Sequence, residues 1–379
     1  MSERCVCNDL TEKRMRILYD FEAFSDQSHG GISRYVIELA SRIAKADNCE
    51  VMLFAGWHRN QHLKSRTDPW IRGQYLKPFW RTGELRRRFN GFLTRRAISD
   101  FRPDIIHRTY HRHVPDYPGK HKTVVTIHDL TYFHYPESFP GGEIVRRRLE
   151  RAARESDHSL CDTENTRQDV IRILGLPLEQ TSVVHLGVNL PQNNNAHLFD
   201  PSNPFLLYVG QRSGYKNFRW LLETLSRHDR LASSRLIAFG GGDFTRDEKD
   251  LISGLDLQDR IQHKAGDDSF LADFYRRAGT LVYPSLYEGF GLPLLEAMAH
   301  GCPVVCSNAS SLPEVGGEAV ITYPPEDSEA FAKAVRTVVS DIQFRRQLVD
   351  RGYQRAREFS WDRCAEKTLQ VYRDLVPED

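Results

Sequence analysis

Short apolar runs alternate with amphipathic stretches along almost the whole chain. Strands are predicted at Arg16–Tyr19, Val51–Phe54, Ile105–His107, Val124–Ile127, Ser159–Cys161 and Ser182–His185. After the polar stretch Pro191-Gln-Asn-Asn-Asn-Ala the pattern restarts with Phe205-Leu-Leu-Tyr-Val-Gly210. Further strands are predicted near Leu236–Phe239, Ile261–His263, Leu281–Tyr283 and Val304–Cys306. Between them lie segments of helical period, such as the one from about Ser33 to Ala44. The last of these, Trp361 to Leu375, offers Cys364, Thr368, Val371 and Leu375 for one helix face. Strand and helix in alternation predict an α/β protein with doubly wound parallel sheets. A chain of 379 residues exceeds the usual single domain. The boundaries expected from the pattern are 1–14 for a polar, disordered extension, 15–195 and 196–358 for two Rossmann-like domains, and 359–379 for a terminal helix.

The densest local signal runs from Leu281 to Ser307: strand, glycine loop, helix and second strand. Gly289-Phe290-Gly291 permits positive φ and close backbone approach. Pro293 suits a first helical turn, Gly301 a helix stop, and Pro303 lies just beyond. The helix start leaves bare amides, a ready anion site. Glu288 and Glu296, with seven residues between them, frame it. Carboxylates beside a bound diphosphate would repel it unless they faced neutral hydroxyls, which fits ribose on one side of the phosphates and a hexose on the other.

The context Pro-Ser-x-x-Glu-Gly-Phe-Gly-Leu-Pro-x-x-Glu-Ala-Met-Ala-x-Gly-x-Pro-Val-Val resembles the E-x7-E signature of the retaining glycosyltransferases of family 4. The resemblance implies the GT-B fold, two Rossmann-like domains facing across a cleft. It implies that Glu288 contacts the transferred sugar, that Glu296 holds the donor ribose, and that Gly289, Phe290, Gly291 and Leu292 form the donor loop. Gly210-Gln-Arg212-Ser-Gly-Tyr-Lys216-Asn217 follows the first strand of the second half, where such folds bind ligands. Arg212 and Lys216 put two cations there, fit to neutralise a departing diphosphate; the family uses an Arg and a Lys in this way. Gly30-Gly31-Ile32-Ser33-Arg34 lacks the dinucleotide fingerprint, so NAD binding is not supported; the family's matching loop lies near donor phosphate and acceptor, with Gly31 the better candidate. His128, at the end of a strand in Thr126-Ile-His128-Asp129, is chosen among 15 histidines for contact with the hexose. Gly240, in Gly240-Gly-Gly-Asp243, and Ala265, in the loop Ala265 to Leu271, match donor-side and base-receiving loops. Glu164-Asn165-Thr166 is read more simply as a helix start, with Thr163 or Asn165 able to cap.

The chain holds 40% hydrophobic and 27% charged residues, ordinary for a globular protein. No apolar run reaches membrane-spanning length, and the N-terminus has no apolar signal core. Seven cysteines, at 5, 7, 49, 161, 302, 306 and 364, match no zinc spacing and read as reduced thiols in a cytoplasmic protein. No Asp-x-Asp triplet occurs, so donor binding is expected without a metal and no cofactor is expected. Residues 51–100 carry 11 basic and 3 acidic side chains. Arg86-Arg87-Arg88 and Arg95-Arg96 interleave with Phe89, Phe92 and Leu93, so residues 76–101 form either a face for anionic membrane, placing the protein on its inner surface, or a solvated helix. Nucleic acid is not an expected partner, because the chain carries a net charge of only +1. The reading is retaining transfer of a hexose from GDP-mannose or UDP-glucose to a hydroxyl of a glycan or polyprenyl-diphosphate-linked acceptor, most like the mannosyltransferase branch that builds bacterial surface polysaccharide. The alternatives are a GT-B epimerase or hydrolase and a non-catalytic sugar-nucleotide binding protein.

Overall fold

The computed structural model describes residues 14–77, 83–111, 117, 119–191, 198–212, 214–228, 231 and 234–377. The N-terminal extension expected over 1–14 therefore lies outside the described residues except for Arg14, as do Ser213 and part of the stretch after Pro191.

Thirteen strands are found among the described residues. The first seven are β1 (Met15–Tyr19), β2 (Cys49–His58), β3 (Ile71–Tyr75), β4 (Ile105–Arg108), β5 (Lys122–Ile127), β6 (His158–Cys161) and β7 (Thr181–Val183). They form one sheet in the order β3-β2-β1-β4-β5-β6-β7. The other six are β8 (Phe205–Val209), β9 (Arg235–Phe239), β10 (Ile261–Lys264), β11 (Thr280–Tyr283), β12 (Val304–Ser307) and β13 (Ile321–Tyr323). Their order is β10-β9-β8-β11-β12-β13, with every neighbouring pair parallel. In the first sheet β2–β3, β1–β2, β1–β4 and β4–β5 are parallel.

Central strands of such sheets are covered on both faces, and this is why they read as unbroken apolar runs. All four residues of β11 and of β12 are buried. The helix Phe218–Arg227 covers the second sheet with Phe218, Leu221, Leu222 and Leu225, one stripe at helical spacing. These join Leu206, Tyr208, Leu236, Ala238, Val282 and Val305 in one core. Each buried Val, Leu or Phe side chain among them contributes roughly 1.5–3 kcal/mol.

The strand order reverses beside β1 and beside β8. In parallel sheets, ligands bind beyond the carboxyl ends of the strands at such points. At the second of them, β8 leads into Gly210–Lys216 and its neighbour β11 leads into the Glu288 loop.

Differences from the sequence pattern have local causes. The first long helix begins at Gly31 rather than near Ser33, because the Gln27 side chain accepts from the Ser33 N–H at 3.3 Å and the Ser33 hydroxyl donates to the Gly30 carbonyl at 3.0 Å. β7 stops at Val183, two residues short of His185, whose ring is held by Glu314 instead. β3 was not legible: Arg72-Gly-Gln is exposed on an edge strand and shows no apolar period.

The chain divides into two compact units. One holds residues up to Thr126 with Arg151–Ser159 and Ala365–Asp379; the other holds Ile127–Glu150 and Leu160–Cys364. In the first unit Tyr372, from the terminal helix Trp361–Leu375, bonds Tyr19 at 3.2 Å and His107 at 2.5 Å. Cys49, Cys161, Cys302, Cys306 and Cys364 are buried free thiols, and burial pushes Cys302 and Cys306 up to about 12. No helix among the described residues is long and apolar enough to cross a membrane.

Candidate active site

The strongest sequence motif folds as expected. Gly291, at φ +92°, caps the helix Leu292–Ala299, Pro293 occupies its first turn, and Gly301 turns at φ +72° after its end. Gly289 has no alternative residue: a Cβ there would overlap the His128 carbonyl oxygen and crowd Asp129. Its own carbonyl accepts from the hydroxyls of Thr163, at 2.9 Å, and Thr166, at 3.3 Å. Glu288 is pinned at both backbone groups, its N–H donating to Ser310 at 2.8 Å and its carbonyl accepting from Ser311 at 2.9 Å. With the backbone fixed, the carboxylate has a defined place.

Both oxygens of that carboxylate accept from one cation. Lys216 Nζ donates to Glu288 Oε1 at 2.7 Å and Oε2 at 2.8 Å. Lys216 ends the turn Gly214–Lys216, which begins with a glycine at φ +50° packed against Ser138. The ammonium also lies 5.1 Å from the Tyr215 ring and 5.9 Å from that of Tyr283. Burial and the Glu288 charge push both phenols above their ordinary value, so they stay neutral.

Arg212 is placed otherwise. Its side chain is only 3% exposed and is engaged on every side. Nε donates to Glu248 at 2.8 Å, Nη1 to the Gly240 carbonyl at 2.6 Å, and Nη2 to the Gly242 and Asp243 carbonyls at 2.9 and 3.0 Å. Phe244 lies 5.0 Å below the guanidinium. Burial acts to raise the Glu248 carboxyl, but hydrogen bonds from Arg212 and the Thr245 N–H outweigh it and hold it below the usual range. Arg212 therefore shapes the loop Gly240–Asp243, in which three successive glycines have positive φ. A phosphate bound by Arg212 would have to displace these partners.

His128 and Asp162 stand just beyond β5 and β6, neighbours in the first sheet. His128 Nδ1 meets Asp162 Oδ2 at 2.7 Å. Burial works against charging this ring, yet Asp162 and Asp129 outweigh it and raise its pKa above the ordinary value. The other Asp162 oxygen is buried with no partner among the described residues. The segment after His128 is tied to the Glu288 loop through Asp169: one of its oxygens accepts from Tyr287 OH at 2.8 Å and contacts His134 Nε2 at 2.7 Å. Thr163 caps the helix Glu164–Asp169, and Glu314 adds acceptors for the N–H groups of Glu164, at 2.9 Å, and Asn165, at 3.3 Å.

The structure thus gathers Lys216, Glu288, Gly289 and the His128 segment. Glu296 sits on the second turn of its helix and accepts from Tyr275 OH at 3.2 Å. Phe290 is buried against His185 and Phe359, so from this residue only the backbone is available to a ligand. Leu292 opens the helix. Ala265 is exposed just ahead of the helix Asp268–Arg277, which Asp267 caps. In the other unit Gly31 has open space where a side chain would be, whereas Gly30 is filled by Gln27. Sequence reading missed Asp162, Asp169, Tyr287 and Glu248. Only Asp162 carried a signal, a carboxylate directly after a predicted strand.

Comparison with known proteins agrees with this geometry. Residues 29–192 match the family model described as Glycosyltransferase Family 4, and residues 191–355 match Glycosyl transferases group 1. The chain is 30% identical to O-antigen chain mannosyltransferase B of Escherichia coli over 91% of its own length and 96% of the relative's. It is 26% identical to O-antigen chain mannosyltransferase RfbU of Salmonella typhimurium, over 56% of this chain and 60% of that one. Among solved structures, sucrose-phosphate synthase from Thermosynechococcus elongatus superposes with a TM-score of 0.75 at 22% identity, covering 96% of this chain and 99% of that one. Alr3699/HepE of Anabaena, in complex with UDP-glucose, gives 0.72 at 18%, covering 95% and 100%. At these identities the structural likeness speaks for the fold alone.

Proposed function

The chain belongs to the family 4 glycosyltransferases, which have the GT-B fold, and from that premise we propose that it moves mannose from GDP-mannose to a hydroxyl of a glycan or lipid-linked glycan acceptor, with retention at the anomeric carbon. The observation that carries this reading is the bidentate ion pair of Lys216 and Glu288 beside the start of the helix Leu292–Ala299. A largely buried ammonium and carboxylate gain little net stability from their pairing, because desolvation offsets the attraction. They are well suited to exchange. A nucleoside diphosphate sugar supplies a phosphate for Lys216 and neutral sugar hydroxyls for Glu288, replacing each partner with one of matching chemistry.

Catalysis then consists of positioning and charge stabilisation. The bond from the anomeric carbon to the phosphate oxygen breaks while a bond to the acceptor oxygen forms on the same face. The acceptor proton passes to the departing phosphate oxygen. Lys216 and the amides at Gly291 and Leu292 meet the growing negative charge, which removes the need for a divalent metal. Glu288 and His128 orient the hexose, Glu296 receives the ribose, and the backbone around Ala265 receives the base. Arg212 acts through the Gly240–Asp243 loop, which it holds in place. Mannose is preferred over glucose because the relative that is 30% identical over 91% of this chain is a mannosyltransferase.

The test is transfer from GDP-mannose and from UDP-glucose in EDTA, with the anomer of the product read by NMR. Transfer from GDP-mannose with an α-linked product is expected. Transfer only after added Mg²⁺, inversion, or preference for UDP-glucose would each overturn the corresponding part.

A further inference from the structure

The helix Asp268–Arg277 opens with an exposed aromatic ring. Asp267 caps it, its side chain accepting from the Phe270 N–H at 2.9 Å, which puts Phe270 at the third helical position. A Glu or Gln there would complete a capping box. The chain holds a phenylalanine instead, 44% exposed. Two other rings support it. Phe274, one turn on, meets it edge to face with centroids 5.0 Å apart, and Phe239, the last residue of β9, lies 6.2 Å away. Phe239 and Phe274 are themselves 5.7 Å apart, so Phe270 rests on a packed aromatic pair.

The loop before the helix fixes where the ring lies. Gly266 keeps a φ outside the left-handed region, so room rather than backbone conformation calls for glycine: a Cβ there would overlap the Phe270 ring. The ring therefore lies against the backbone of the loop Ala265–Asp267, just beyond the carboxyl end of β10. The same helix touches the residue assigned to the ribose. Tyr275, five positions on and so about 7.5 Å along the axis, donates its hydroxyl to Glu296 at 3.2 Å. A nucleoside whose ribose meets Glu296 has this helix beside it, with Phe270 towards the helix start.

We propose that Phe270 is the platform on which the donor's nucleobase stacks. An exposed ring beside backbone N–H and carbonyl groups offers a base a π-face together with hydrogen-bond partners for its edge. The inference rests on the transfer reading above and deepens it. A single ring gains more stacking area from a purine than from a pyrimidine, so Phe270 favours GDP over UDP while the loop backbone and the phosphate site serve both.

The experiment is calorimetric titration of the full chain, in EDTA, with GDP, UDP and inorganic pyrophosphate. Phe270→Leu keeps an apolar side chain on Phe239 and Phe274, so its thermal midpoint should stay near that of the parent while GDP binding weakens about tenfold. UDP should weaken less, and pyrophosphate, which carries no base, should bind as before. Phe270→Trp should keep GDP binding, and Gly266→Ala, which pushes the ring aside, should weaken it. Unchanged GDP affinity in Phe270→Leu overturns the proposal. So does an equal loss for GDP and pyrophosphate, because the ring would then only support the loop. A parent that binds GDP no more tightly than pyrophosphate overturns it as well. A parent that transfers nothing from GDP-mannose, while Phe270→Leu still loses GDP selectively, would sink the transfer reading and leave the stacking assignment standing.

Discussion

Arg212 and Lys216 stand four residues apart in sequence, and both are cations held by a glutamate. The resemblance gives them one joint role. The structure separates them. Arg212 is enclosed, its guanidinium distributed over Glu248 and three loop carbonyls, with an aromatic ring beneath it. Lys216 has one carboxylate partner and two rings at longer range. Burial of an ion pair is therefore a poor guide to function by itself. What distinguishes the two is how many groups the cation holds: releasing Arg212 would free Glu248 and three carbonyls of the loop Gly240–Asp243 together.

The sharpest way to break this contrast is Arg212→Ala. Removing the guanidinium that ties Glu248 to the loop Gly240–Asp243 should cost about 1–3 kcal/mol by urea denaturation. Arg212→Lys should recover little of it, because an ammonium cannot span those acceptors. Unchanged stability with lost activity would return Arg212 to the role of phosphate grip. Lys216→Ala and Glu288→Gln are expected to act chiefly on catalysis, lowering kcat about 10²- to 10³-fold. Their loss of stability should be smaller than that of Arg212→Ala, because Lys216 holds fewer partners than Arg212.

A smaller effect separates His128 from the other buried histidines. Asp162→Asn should move the His128 titration, followed by NMR, to lower pH. The sign for stability follows from the raised folded pKa. The His128 contribution is complete below the unfolded value near 6.5 and is lost as pH rises through the higher folded value. Parent and Asp162→Asn should therefore differ most in acid and converge in alkali; the reverse order would show that His128 is held neutral. Smallest is Thr245→Ala, which opens a capping box beside Arg212. It should cost about 1 kcal/mol and leave kcat unchanged.

Much of this was legible because it is local. The stretch from Leu281 to Ser307 carries its turns, cap and stop in its own glycines and prolines, so the unit and the place of Glu288 could be read directly. Strand order could be anticipated only as a class. The pairing of His128 with Asp162 spans 34 positions and exists because β5 and β6 lie side by side. Glu248 is 36 residues from Arg212 and is shared with a helix cap, so nothing near Arg212 announces it. The helix Gly83–Phe101 shows the limit most plainly: composition revealed arginine and aromatic residues, but only packing decides which face is turned inward, here the face of Asn90, Thr94 and Ile98.

The exchange of partners at Lys216 is tested most directly by calorimetric titration of GDP, in EDTA, into the parent, Lys216→Ala and Glu288→Gln. If Glu288 and the diphosphate compete for the same ammonium, Lys216→Ala weakens GDP binding while Glu288→Gln leaves it unchanged or tightens it. Equal weakening by both substitutions would contradict that exchange and make the ion pair a structural element of the loop.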